Sequence, residues 1–76
     1  MDVKNEVIRI IGNINKQLLE SSEGNWIEDG MLDSFDIITI ISNLQETFQI
    51  EIDPQYILPE NFANVKQITK MIEEIM

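Results

Sequence analysis

Asp33-Ser34-Phe35-Asp36-Ile37-Ile38-Thr39-Ile40-Ile41-Ser42-Asn43-Leu44-Gln45-Glu46-Thr47-Phe48 is the run on which the fold turns. At about 100° per residue, Ile37, Ile40, Ile41, Leu44 and Phe48 fall on one side, the pattern of an amphipathic helix with a core face. Ile38 sits at the margin of that face. Asp33 and Asp36 stand at the head of the run with the spacing of a capping box, their carboxylates near the positive end of the helix. Phe35 points away from the core face, in line with Thr39, Ser42 and Glu46. A large aromatic on a polar stripe has two readings. The segment from Gly24 to Leu32 folds over it, or it stands exposed as an anchor for a partner, since aromatics dominate binding hot spots.

Toward the N-terminus, residues 3–19 read as one helix. Val3, Val7, Ile10, Ile11, Ile14 and Leu18 recur at helical steps. Gly12 falls on the opposite, polar side, where it weakens a helix by about 1 kcal/mol relative to Ala. Ser21, Ser22, Glu23, Gly24 and Asn25 break the pattern and begin a loop that runs to about Leu32. Trp26, Ile27, Met31 and Leu32 lie within that loop, so it is expected to pack down on the core. Toward the C-terminus, Asp53-Pro54 reads as a cap followed by a first-turn proline. Leu58-Pro59 opens a second short turn ending near Phe62. Asn64 begins the last helix, with Gln67 at the capping-box distance and Val65, Ile68, Met71, Ile72 and Ile75 as its apolar face. Phe48 to Ile52 alternates but has no partner strand, and reads as an extended connection. The expected fold is all-α, a four-helix bundle with three main helices, one short helix and a long first loop, in a single domain covering residues 1–76.

Composition narrows the function. The chain has 76 residues, no cysteine and no histidine. Disulfides and thiolate metal sites are excluded, and so are the commonest general base and the commonest metal ligand. The net charge is −9, from 14 acidic and 5 basic residues, which argues against nucleic-acid binding. No apolar run approaches the roughly 18 residues of a membrane span, and no leader is evident. A monomeric, cytoplasmic protein is the expectation. Between Gln17 and Val65 there is no basic residue. This middle stretch makes a one-sign field that either keeps the protein dispersed or steers a basic partner into contact. Paired carboxylates such as Asp33/Asp36 or Glu28/Asp29 could in principle do acid–base work. A helix cap accounts for the first pair and a solvated loop for the second, so the chain is expected to be no enzyme. The acids around Gly30 lack the spacing of a calcium-binding EF-hand loop.

Ser34 allows two readings on the residues alone. It is itself the N-cap of the helix, a common role for serine. Alternatively Asp33 is the cap, and Ser34 projects from the first helical position beside free N–H groups, where an attached anion is favoured.

Gly30-Met31-Leu32-Asp33-Ser34-Phe35-Asp36 followed by an Ile-rich helix resembles the phosphopantetheine attachment site of the acyl carrier protein family. Leu44, Glu46 and Phe48 are similar to the Leu-x-Glu-x-Phe run that closes the family's second helix. Ile50 and Ile52, and Phe62 and Val65, resemble its later apolar positions. The likeness covers nearly the whole chain in length, helix order and acidity. It implies a bundle of the acyl-carrier type, with 4′-phosphopantetheine joined to Ser34 by a separate, Mg²⁺-using phosphopantetheinyl transferase. It implies that Asp33 assists that transferase's metal site, and that Phe35, Asp36 and Ile38 lie beside the arm. It also implies that Phe35, Asp36, Thr39, Ser42 and Glu46 face partner enzymes, which are acyl- or aminoacyl-activating ligases or synthases with a basic docking surface. The arm would hold an acyl group as a thioester. Phe35 stands where fatty-acid carriers usually have Leu. Thr39, Ser42 and Gln45 replace expected acids or apolar contacts, and the segment Asp53 to Phe62 is longer than usual. Gly-Met-Leu-Asp-Ser-Phe also resembles D-alanyl carriers and free-standing aminoacyl carriers. A reading of another class is an unmodified acidic helical interaction module.

Overall fold

A computed structural model describes residues 2–20 and 24–76. Four α-helices follow one another: α1 (Val3–Ile14), α2 (Gln17–Glu20), α3 (Ser34–Phe48) and α4 (Val65–Ile75). Two 3₁₀ turns, Pro54–Tyr56 and Pro59–Phe62, lie between α3 and α4. Among the described residues there is no strand, and the architecture is the small helical bundle expected. Among the described residues no helix is long and apolar enough to cross a membrane. α1 packs against both α3 and α4.

The first helix is shorter than the periodicity suggests. It stops at Ile14, and Asn15 turns extended (φ −161°, ψ 104°). The cause is local competition for the backbone. Asn15 Oδ1 accepts the Gln17 N–H at 3.0 Å, while the Asn15 N–H still closes the helix on the Ile11 carbonyl. Leu18 then bonds back to Asn15 O and Leu19 to Lys16 O, restarting the chain as the single turn α2. The break swings Leu18 into full burial. It also lays Leu19 over Gly12, where a Cβ would sit 3.2 Å from Leu19 Cδ1. Gly12 is therefore half-buried against a side chain and not on an open polar face. The start of the expected first loop, Ser21 to Glu23, lies outside the described residues.

The rest of that loop is pinned as its apolar content required. Trp26 is fully buried, and its indole Nε1–H donates to Leu18 O at 3.0 Å. Its backbone N–H donates to Ala63 O at 2.7 Å, and its carbonyl accepts from Met31 and Leu32. One residue thus ties α2, the loop and the segment before α4 together. Asn64 adds a second tie. Its Nδ2 donates to Gly24 O at 3.0 Å, while its Oδ1 caps α4 through the Gln67 N–H at 2.9 Å. Val7, Ile10 and Ile11 of α1 meet Ile40 and Leu44 of α3 and Ile68, Met71 and Ile72 of α4 in one core, closed by Phe48, Ile52 and Phe62. Ile37, Ile41 and Ile75 pack against its edge. Among the described residues no polar residue is buried as a whole. Thr69 Oγ1 is shielded from solvent and lacks a hydrogen-bond partner there.

α3 ends in a Schellman-type closure. Gln49 takes the left-handed conformation (φ 53°), and its N–H and that of Ile50 both return to Gln45 O. The Gln45 side chain then accepts the Ile52 N–H at 2.9 Å, which holds Phe48 to Ile52 as the extended connection expected. Asp53 caps the first 3₁₀ turn through the Gln55 N–H, with Pro54 at its start, and Pro59 opens the second.

Candidate functional site at the head of helix α3

The chain arrives at α3 under tight control. Gly30 adopts φ +71°, a left-handed value that glycine takes without steric cost, and turns the loop toward the helix. Met31 and Leu32 bond to Trp26 O, and Leu32 is buried. Asp33 follows in extended conformation (φ −105°, ψ 178°) as the N-cap. Its Oδ1 accepts the Asp36 N–H at 2.9 Å, and Asp36 Oδ2 accepts the Asp33 N–H at a looser 3.4 Å. The reciprocal capping box is complete, so both carboxylates serve the helix.

Ser34 is consequently the first helical residue and not the cap. It is exposed, and its hydroxyl makes no hydrogen bond among the described residues. The Asp36 N–H goes to the Asp33 side chain and the Ile37 N–H to the Asp33 carbonyl. The N–H groups of Ser34 and Phe35 are the two first-turn donors left over among the described residues. With the helix dipole they form a positive end beside the Ser34 hydroxyl, suited to a phosphate ester.

Phe35 is 76% exposed, so the Gly24–Leu32 segment does not cover it. That segment spends its large side chains, Trp26 and Leu32, on the core instead. Ile38 is 65% exposed, well outside the core margin where the periodicity placed it. Phe35 and Ile38 lie three residues apart and so share one face, forming an apolar step just beyond Ser34. Asp36 is half-buried by its capping role. Thr39 is half-buried, with Oγ1 donating to Phe35 O at 3.2 Å, and its carbonyl accepts from Asn43 Nδ2. Ser42 and Glu46 are exposed further along the helix. Of the site residues named from the sequence, Asp33 to Thr39 gather at the head and first turns of α3, Asp36 and Thr39 half-buried, while Ser42 lies just past its midpoint and Glu46 near its far end. Glu28 and Asp29 are exposed on the turn held by Asn25, whose Oδ1 accepts from Ile27 and Glu28.

Sequence reading passed over two features. Ile57 and Leu58, between the 3₁₀ turns, are also exposed apolar residues. Their place next to Pro59, in a turn too short to bury both neighbours, was the available signal. The lysines Lys4, Lys66 and Lys70 line shared concavities between α1 and α4. Neither a family model nor a curated protein matches this chain.

Proposed function

We propose that the protein is an acyl carrier, modified on Ser34 with 4′-phosphopantetheine and presenting an acyl or aminoacyl group to partner enzymes. The observation that carries the proposal is the state of the Ser34 hydroxyl. It is exposed and, among the described residues, unbonded, at a helix head capped by Asp33 and Asp36. A transferase can therefore take it without dismantling the fold. A phosphodiester there would meet the spare N–H groups of Ser34 and Phe35 and the positive end of α3.

The residue inventory fits this division of labour. With no cysteine in the chain, a thiol has to be brought in. With no histidine, activation of the serine hydroxyl falls to another protein. When bound, the arm would supply a flexible thiol able to hold cargo as a thioester. Asp33 would stand next to the reacting oxygen, where it can help place the transferase's Mg²⁺. Phe35 and Ile38 would give the partner an apolar foothold, with Asp36 and Glu46 adding charge for basic side chains. The rim of such an interface is salt-sensitive, since its charges are exposed.

Intact mass measured after incubation with coenzyme A, Mg²⁺ and a broad-specificity phosphopantetheinyl transferase tests the proposal. One phosphopantetheine is expected on the wild-type chain and none on Ser34→Ala. An unchanged wild-type mass, with a control carrier fully labelled, would refute it. Biological activity that persists in Ser34→Ala would instead support an unmodified acidic interaction module built on the same exposed Phe35.

A further inference from the structure

In a chain with only 5 basic residues, three of them gather in one place. Two adjoining concavities of about 390 and 420 Å³ lie between α1 and α4 and share Lys4 and Lys66. Ile8, Leu19 and Val65 line the first; Lys70, Thr69 and Glu73 complete the second. None of the three lysines forms a salt bridge among the described residues, where Arg9–Glu6 is the ion pair present.

Their placement runs against helix electrostatics. Lys4 is the second residue of α1 and Lys66 the second residue of α4. The helix dipole disfavours positive charge at both positions. Asp2 offsets this at α1, but α4 has no acid in its first turn. Two helix heads and three lysines therefore converge on one groove, and among the described residues Glu73 is the single carboxylate lining it. Thr69 Oγ1, in the same wall, lacks a hydrogen-bond partner among the described residues. Ile8, Leu19 and Val65 supply the apolar side chains, lysine stems add apolar wall to the second concavity, and the protein's large exposed apolar side chains lie elsewhere. That is too little apolar surface for a docked helix, while the volumes match small-molecule sites.

We infer that the α1–α4 groove binds an amphiphilic carboxylate, with its aliphatic tail against Ile8, Leu19 and Val65 and its carboxylate between Lys4, Lys66 and Lys70. An inorganic anion would leave the apolar lining unused, and a neutral amphiphile would leave the cations unused. This site is separate from Ser34 and does not depend on its modification.

Methyl and amide NMR titration of the unmodified protein with decanoate, below its micelle concentration, tests the inference. Saturable shifts are expected at Ile8, Leu19, Val65 and the groove lysines. The double variant Lys4→Glu/Lys66→Glu should bind about tenfold more weakly, and Glu73→Gln about twofold more tightly. The double variant should also melt at a higher temperature, because its charges now suit the helix heads. Weaker binding in a more stable protein separates a ligand role from a structural one. The inference fails if decanoate produces no saturable shifts, or if its shifts spread through Ile40 and Leu44. It fails equally if 1-decanol binds as tightly as decanoate, or if the double variant keeps wild-type affinity.

Discussion

Removing the carboxylate of Asp33 and removing the hydroxyl of Ser34 should have unequal effects on stability, although the residues are adjacent. In Asp33→Ala the strong arm of the capping box disappears, the 2.9 Å bond from the Asp36 N–H. The 3.4 Å return bond from the Asp33 N–H to Asp36 Oδ2 is long and weak, and Ala retains that N–H. The loss is therefore that of one N-cap, about 1 kcal/mol. In a domain of this size, such a loss lowers Tm by roughly 4–8 °C. A chain of 76 residues is expected to hold roughly 4–11 kcal/mol in total, so the variant still folds. Ser34→Ala removes a hydroxyl with no hydrogen bond among the described residues. Alanine is the better helix former, so the change should fall within about 0.5 kcal/mol of zero, with propensity favouring the stabilising side. Asp33→Asn keeps an oxygen acceptor and should recover most of the Asp33→Ala loss. Urea unfolding followed by far-UV circular dichroism measures all three. If Ser34→Ala cost as much as Asp33→Ala, the serine would be the cap, and a hydroxyl free for modification would no longer be on offer.

Phe35→Ala should leave stability within about 0.5 kcal/mol of wild type, because the ring is 76% exposed. It should weaken transferase docking by more than about 1 kcal/mol, roughly fivefold, read as a rise in KM; a large loss of stability would show that the ring is packed. Trp26→Phe keeps most of the buried ring but abolishes the Nε1–H bond to Leu18 O. A cost of about 1–3 kcal/mol is expected in denaturant unfolding, and Trp26→Ala should leave little folded protein. Gly12→Ala should stabilise by up to about 1 kcal/mol, because the Leu19 methyl 3.2 Å from the new Cβ ends a flexible, half-buried side chain that can give way. A lower Tm would mean that Leu19 is held too firmly to move.

How much the sequence disclosed depended on the range of the interaction concerned. The start of α3 was legible because a capping box is written within four residues, and α4 was legible for the same reason through Asn64 and Gln67. Angular position took Phe35 off the core face, but whether the Gly24–Leu32 segment covers it depends on how that segment packs, and it leaves the ring exposed. The stop at Ile14 was hidden because Leu18 continues the apolar period across it. The deciding contact, Asn15 Oδ1 to the Gln17 N–H, competes with the helix without altering the hydrophobic pattern. Ser34 was ambiguous for a similar reason. Asp33 and Ser34 are both good caps, and only the geometry of the Asp33 side chain decides between them. The lysine groove joins residues 4 and 66, and nothing local to either one announces the other.

Fragmentation of peptides from transferase-treated protein tests the central claim most directly, because it reports which hydroxyl was taken. The chain offers other serine and threonine hydroxyls at Ser21, Ser22, Thr39, Ser42, Thr47 and Thr69. The expected result is a single phosphopantetheine adduct on Ser34 with those six unmodified. An adduct on any of them with Ser34 bare would contradict the account.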